Sequence, residues 1–205
     1  MIIKTFVLPP LDNNNYLIID EVTKDAALVD CSSFDDSVIT ALADNSAKLK
    51  YILLTHAHFD HVLGIEKMVE ETGATVVLHS DDEFLLKDLN SYTFMTGMPA
   101  VNIPKVNKFI ADGEVIELGS LKIKAIHTPG HTRGGVSYLV EDNLFSGDTL
   151  FRESIGRTDL EGGNFKVIET SIRQKLFTLY EDTVVYPGHG PSTTVRHEKK
   201  FNSYV

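Results

Sequence analysis

The hydrophobic residues of the first thirty positions fall into short runs that alternate with polar or proline-containing breaks. Runs of this length, bounded by turn-forming residues, are typical of consecutive β-strands. The pattern therefore predicts a meander with strands at residues 2–8, 16–20 and 26–30 and breaks at residues 9–10, 13–15 and 24–25.

Helices are predicted where the apolar spacing lengthens to three or four residues. Phe34, Val38 and Leu42 recur at every fourth position, which predicts a helix over residues 34–43 with one buried face. The rest of the chain is predicted to contain a helix ending at Gly73, a helix capped by Asn164, and strands at residues 51–54, 75–78, 114–118, 121–126, 135–140, 143–145 and 183–186.

The predicted elements define an α+β protein. Strand meanders and helices with one apolar side can bury their apolar faces when two sheets face each other and helices cover the outer faces. Because no linker, repeat or low-complexity stretch interrupts the sequence, we expect one domain over residues 1–205.

The composition is that of a globular protein, with 42% hydrophobic and 23% charged residues among 205. A formal net charge of −10 opposes binding to a phosphate backbone, so no nucleic-acid partner is expected. No apolar stretch reaches the roughly 18 residues that a membrane span requires, so no membrane partner is expected. The single cysteine, Cys31, cannot form an internal disulfide, and we therefore expect a cytoplasmic protein.

A dense group of potential metal ligands follows the strand predicted at residues 51–54. The sequence Thr-His-Ala-His-Phe-Asp-His places His56, His58, Asp60 and His61 within six residues. Extended residues two positions apart project to the same side, so the first two histidines can reach one ion while the following turn directs the other ligands to a second. Imidazole and carboxylate ligands suit zinc, with iron and manganese as alternatives.

Three more candidate ligands follow apolar strands in the second half, each beside a glycine that allows a sharp turn. They are His131 in His-Thr-Pro-Gly-His, Asp148 in Ser-Gly-Asp-Thr and His189 in Pro-Gly-His-Gly. The resulting seven ligands suffice for two divalent ions and leave room for a bridging water. The expected division is His56, His58 and His131 for one ion, Asp60, His61 and His189 for the other, and Asp148 as a possible bridge.

These motifs resemble those of the metallo-β-lactamase superfamily, in particular its glyoxalase II-like (hydroxyacylglutathione hydrolase-like) branch. The resemblance rests on residues 55–61, 127–132, 147–151 and 187–190 and extends over nearly the whole chain. It implies a four-layer αββα sandwich, a two-metal site at the shared rim of the sheets, and hydrolysis of thioesters. Residues 154–164 are similar to a short bacterial subgroup that lacks the C-terminal helical domain of the longer enzymes.

This chemistry assigns roles to individual side chains. A hydroxide bridging the two ions would attack the thioester carbonyl, and Asp60 would hold its proton in line while ligating the second ion. Asp30 would accept a hydrogen bond from a ligand histidine and fix its tautomer. Arg157 occupies the position of a lysine that contacts the glutathione carboxylate in the longer enzymes; it would bind substrate or, equally, brace its loop by pairing with Asp159.

The expected substrate is a small thioester, S-(2-hydroxyacyl)glutathione or a related thiol conjugate. Tyr92, Phe94, Met95 and Met98 are expected in a loop between the two halves of the chain. In that loop they would either line the acyl pocket of the substrate or join the hydrophobic core.

Two other activities fit the same sequence. Persulfide dioxygenases of the superfamily share the Gly-Arg-Thr-Asp sequence of residues 156–159 but use one iron, at positions equivalent to His56, His131 and Asp148. They have a Pro-Ala-His-Asp motif where this chain has Pro-Gly-His-Gly at residues 187–190, which favours the hydrolase. A lactonase or other esterase would use the same two-metal site, since loops rather than ligands decide which acyl bond is cleaved.

Overall fold

The structure, a computed structural model, describes residues 1–205 and contains two six-stranded sheets. The strands of the first sheet lie side by side in chain order: β1 (Ile2–Leu8), β2 (Asn13–Ile19), β3 (Asp25–Val29), β4 (Lys48–Leu53), β5 (Thr75–Leu78) and β6 (Lys108–Phe109). The first three are antiparallel, whereas β3 to β6 are parallel. The parallel strands therefore all end at the same edge of the sheet.

The second sheet is mainly antiparallel and has the spatial order β14-β13-β10-β9-β8-β7. Its strands are β7 (Val115–Leu118), β8 (Leu121–His127), β9 (Val136–Val140), β10 (Asn143–Gly147), β13 (Val184–Pro187) and β14 (Thr193–Thr194). Between β10 and β13 the chain forms a separate hairpin of β11 (Leu150–Phe151) and β12 (Ser154–Ile155). Because β13 is parallel to β10, both strands end at the same edge.

Five α-helices lie between strands, and a sixth follows the last strand: α1 (Asp36–Asp44), α2 (Ile65–Thr72), α3 (Glu83–Lys87), α4 (Leu89–Met95), α5 (Phe165–Gln174) and α6 (Val195–Phe201). The first begins two residues later than predicted, because the Asp35 carboxylate accepts a hydrogen bond from the Ser37 backbone N–H and caps the helix. None of the helices has the length and apolar character that crossing a bilayer requires.

Three apolar clusters, separated by the two sheets, define the layers. Along β2, alternate side chains face opposite sides: Leu17 and Ile19 pack with residues of α1 to α4, whereas Tyr16 and Ile18 pack with the second sheet. The third cluster lies between the outer face of the second sheet and the helices α5 and α6. The layer order is helix, sheet, sheet, helix, which confirms the expected αββα sandwich.

Residues 13–15 do not form the predicted turn but begin β2. Their side chains are buried and hydrogen-bonded by residues far away in sequence: the Asn14 amide donates to the Pro187 carbonyl at 3.0 Å, and the Asn15 amide donates to Ser32 Oγ at 2.9 Å. Polar residues can occupy a buried strand when such partners exist, and no local pattern announces them.

The segment between the two halves also differs from the prediction. Residues expected in a loop form α4 up to Met95. Phe94 and Met95 are 83% and 80% exposed, so they do not join the core, whereas Tyr92 packs against the first apolar cluster. The helix α6 was likewise not predicted, because its sequence carries five polar residues among seven.

Candidate metal centre

All seven predicted ligands lie together at one end of the two sheets. Each follows the carboxyl end of a strand: residues 56–61 follow β4, His131 follows β8, Asp148 follows β10 and His189 follows β13. A 3-10 turn, Phe59–His61, changes the chain direction directly after the extended histidine pair. The sandwich thus brings ligands from four strand ends to one rim.

The first group consists of His56, His58 and His131, all of which are buried. Their ring centroids are separated by 4.7 to 4.8 Å. His58 Nδ1 and His131 Nε2 lie 2.9 Å apart. Three imidazole nitrogens converging in this way match the ligand set expected for one ion.

The second group consists of Asp60, His61 and His189. Asp60 Oδ2 lies 3.2 Å from His189 Nε2 and 3.6 Å from His61 Nε2. The His189 side chain is 27% exposed, whereas those of the other two residues are at most 8% exposed. This group therefore reaches the protein surface through His189.

Asp148 lies between the two groups. One carboxylate oxygen is 3.5 Å from His61 Nε2, and the other is 3.6 Å from His131 Nε2 and 3.7 Å from His189 Nε2. A single carboxylate is thus within reach of nitrogen atoms from both groups, as a bridging ligand must be. A Cβ atom at Gly188 would lie only 2.2 Å from Asp148 Oδ1, so the close packing of this loop requires glycine.

The electrostatics of the centre differ from one side to the other. Around His61, burial opposes protonation, but the carboxylates of Asp30, Asp60 and Asp148 outweigh it and raise the pKa of the imidazole to about 10. At His58, burial and repulsion from other imidazoles lower the pKa to about 3. One side of the site therefore attracts positive charge, and the other offers the neutral imidazoles that ligate metals.

Three buried side-chain atoms in the protein have no hydrogen-bond partner, and all three belong to this centre: His56 Nε2, His58 Nε2 and Asp148 Oδ1. Buried polar atoms normally find partners, because leaving them unpaired costs free energy. Coordination to a cation would supply such a partner. The donor types, their convergence and these unpaired atoms fit two divalent ions.

Asp30 directly follows β3 and adopts a left-handed backbone conformation, with φ of 59°. Its carboxylate accepts hydrogen bonds from the backbone N–H and the hydroxyl of Thr55, both at 2.8 Å. His61 Nδ1 lies 2.8 Å from the same carboxylate. In this arrangement the Nδ1–H of His61 donates to Asp30, which leaves Nε2 facing the other ligands.

The Arg157 guanidinium donates two hydrogen bonds to the Asp159 carboxylate, at 2.8 and 2.7 Å. Both side chains are more than half exposed. The backbone carbonyl of Arg157 accepts a hydrogen bond from His131 Nδ1 at 2.7 Å. The loop therefore orients one ligand through its main chain, while substrate binding by the Arg157 side chain stays a prediction.

Asp82 is a buried residue of the site that the sequence patterns did not reveal. Its carboxylate accepts hydrogen bonds from the Gly134 N–H at 2.6 Å, the Thr132 hydroxyl at 2.8 Å and the Ala57 N–H at 3.3 Å. Burial raises the pKa of Asp82. It joins the two segments that carry the first group of ligands, yet nothing in the sequence distinguishes it from its acidic neighbours Asp81 and Glu83.

Asn13 is a second residue that the sequence patterns did not reveal. Its side-chain nitrogen lies 2.8 Å from His61 Nε2 and 3.0 Å from His61 Nδ1, and it is fully buried. Asn13 also forms an isolated backbone bridge with His189. The run of three asparagines was the available signal, but such runs are more often turns.

The sequence model of the metallo-β-lactamase superfamily matches residues 8–189, and the chain belongs to that superfamily. The chain is 42% identical over 158 residues to a protein of Bacillus subtilis named "probable metallo-hydrolase YqgX", covering 75% of this chain and 74% of that protein. It is 31% identical over 209 residues to the hydroxyacylglutathione hydrolase GloC of Haemophilus influenzae, covering 100% of this chain and 98% of that protein.

Two solved structures have the same fold over almost their entire length. The BLEG-1 B3 metallo-β-lactamase superposes with a TM-score of 0.91 at 35% identity, covering 99% of both chains. TTHA1623 in a di-iron-bound form superposes with a TM-score of 0.88 at 32% identity, covering 98% of this chain and 100% of that chain. Members of the superfamily typically bind divalent metals, and the clusters of this chain could hold two ions.

Proposed function

We propose that this protein is a metal-dependent hydrolase of small thioesters, with S-(2-hydroxyacyl)glutathione or a related thiol conjugate as the substrate. The observation that carries the proposal is the complete set of seven ligands in two groups, with Asp148 between them. Similarity to YqgX supports a metallo-hydrolase, and similarity to GloC supports a thioester as the bond that is cleaved.

Two divalent ions bound by these side chains would lower the pKa of a coordinated water to about 7 and polarise the substrate carbonyl. Although burial opposes ionisation, His61 and His189 hold the pKa of Asp60 well below its usual range. Asp60 is therefore ionised at neutral pH and is placed to accept a hydrogen bond at the centre. Asp30 keeps His61 in one orientation, and no serine or cysteine nucleophile is needed.

We propose zinc as the metal, because three imidazoles form a typical zinc ligand set. Iron and manganese are the alternatives, since both accept histidine and carboxylate ligands. The similarity to TTHA1623, whose structure contains two irons, supports iron as the first of these alternatives.

The test combines metal analysis with turnover. Purified protein should contain two metal ions per chain and should hydrolyse S-lactoylglutathione or a thioester of another thiol. We expect Asp148→Ala to lower turnover by roughly a thousandfold, because it removes the carboxylate shared by both groups, and to reduce the metal content. Asp142→Ala, at an exposed turn between β9 and β10, is the control and should retain both properties.

Two results would overturn the proposal. One is a protein with a single iron that consumes oxygen in the presence of glutathione persulfide. The other is a protein loaded with two metals that hydrolyses no thioester while cleaving a lactone or another ester.

A further inference from the structure

A groove of about 530 Å³ lies beside the metal centre. One wall is the turn of the β11–β12 hairpin and the other is the loop that follows β13. Its lining residues are Phe151, Arg152, Glu153, His189, Gly190 and Pro191. His189 belongs to the second group of ligands, and its partial exposure connects the centre to this groove. The groove is therefore close enough to hold part of a substrate whose reacting bond lies at the centre.

Arg152 is the one arginine or lysine that lines the groove. Among the five arginines of the chain, Arg157, Arg173 and Arg196 form ion pairs with neighbouring carboxylates. Arg133 lies over the Phe84 ring, at 4.8 Å from its centroid. Arg152 alone is exposed with neither kind of partner, so its guanidinium keeps its full capacity to bind an anion.

The turn that carries Arg152 is held in place by α6. The backbone N–H of Glu153 donates to Glu198 at 2.8 Å, and His197 Nε2 lies 2.8 Å from the Glu153 carboxylate. The nearest acidic side chain in sequence is thus engaged by α6. Glu198 is fully buried and also accepts a hydrogen bond from the Thr193 hydroxyl, on the strand that follows the other wall of the groove.

We propose that Arg152 binds a carboxylate of the substrate and makes this protein selective for anionic thioesters. The inference rests on the proposed function and adds the residue that binds the charged part of the substrate. A guanidinium at the edge of a groove can donate two parallel hydrogen bonds to a carboxylate, while the reacting carbonyl lies at the metal centre. A neutral thioester would make no such contact.

The experiment compares three thioesters: lactoyl-N-acetylcysteamine, which is neutral; lactoyl-N-acetylcysteine, with a carboxylate on the thiol; and succinyl-N-acetylcysteamine, with a carboxylate on the acyl group. We expect Arg152→Ala to lower kcat/KM about tenfold for at least one anionic substrate, mainly through KM, and to leave the neutral one unchanged. Arg152→Lys should recover part of the loss. Arg173→Ala, on α5 and outside the groove, is the control.

The substrate that loses efficiency reveals whether the carboxylate belongs to the thiol or to the acyl group. Equal losses for all three substrates, or a loss for none, would overturn the role of Arg152. Failure of the metal-loaded wild-type protein to hydrolyse these three thioesters and S-lactoylglutathione would instead contradict the proposed function, so the two hypotheses fail in different ways.

Discussion

The two halves of the chain contribute to the metal centre in different ways. The first half supplies four ligands from one continuous segment, residues 56–61. The second half supplies three ligands, each on a separate loop: His131, Asp148 and His189. Local backbone geometry can place the first set, whereas the positions of the second set depend on how three loops pack.

Ligands of the second half are positioned by residues distant in sequence. His131 Nδ1 donates to the Arg157 carbonyl, and His189 Nδ1 lies 3.1 Å from the Leu11 carbonyl. The loop that carries His189 is further held by β2, since Tyr16 donates from its hydroxyl to the Pro187 carbonyl at 2.7 Å. Changes in packing should therefore damage the second set of ligands more than the first.

Among variants that keep every ligand, the largest effect is expected from Gly188→Ala, which alters the packing of the ligands. The new methyl group would lie 2.2 Å from Asp148 Oδ1 and 2.9 Å from His61 Cε1, so at least one ligand must move. Displacements of about 1 Å at a reacting centre can lower rates by roughly a hundredfold. We expect a loss of that size, together with loss of metal, in activity assays and elemental analysis.

Gly113→Ala is the matched control for this change. Gly113 has a left-handed φ of 77°, but no atom lies within 4 Å of the position that a Cβ would occupy there. This variant should lose some stability through backbone strain and keep its metal content. If Gly188→Ala retained full metal content and activity, the tight packing around Gly188 would not determine the positions of the ligands from the second half.

A smaller effect is expected from Asp82→Ala, which removes a link between the two sets. Its carboxylate joins the segment of Ala57 to that of Thr132 and Gly134. Residues that orient metal ligands typically change metal affinity or activity by roughly 10- to 100-fold, and we expect about tenfold here. Metal titration followed by assay at saturating metal would separate weaker binding from impaired turnover.

Asp81→Ala is the control for Asp82, because Asp81 is adjacent and its side chain is 56% exposed. It should behave as the wild type. Equal losses of activity in Asp81→Ala and Asp82→Ala would show that the conformation of this turn, rather than the Asp82 carboxylate, positions the ligands.

The smallest effect is expected from Asp20→Asn, which alters a contact between the halves at the end opposite the metal centre. Asp20 accepts hydrogen bonds from the Ser120 N–H and hydroxyl and from the Val22 N–H. The Ser120 N–H makes the largest contribution to holding the pKa of Asp20 well below its usual range. The variant should be less stable at neutral pH but retain its metal content and activity.

The sign of the pH dependence follows from the lowered pKa. A carboxyl group with a lower pKa in the folded state stabilises the fold above its unfolded pKa of about 3.9 and loses this contribution as the pH falls. The difference in urea midpoint between wild type and Asp20→Asn, measured without metal, should therefore be greatest near pH 7 and decrease below about pH 4. A difference that grew on acidification would contradict this account.

The alternation of side chains in the strands and the His-x-His-x-Asp-His segment could be read from the sequence, because both depend on local geometry. Residues two apart on a strand face the same side, and this periodicity separates the face of β2 that contacts the helices from the one that contacts the second sheet. His131, Asp148 and His189 were also recognisable as candidate metal ligands, because each lies beside a glycine.

Only the tertiary structure decided which polar residues support that chemistry. Asn13 becomes part of the centre because β2 packs against His61, 48 residues away in sequence, and Asp82 because its turn packs against Thr132, 50 residues away. The pair of Arg157 with Asp159, two residues away, was one of the two possibilities that the sequence offered, whereas only the structure shows that Arg152 has no carboxylate partner. A side chain's type is encoded locally, but its hydrogen-bond partners depend on contacts between distant segments, which no sequence period specifies.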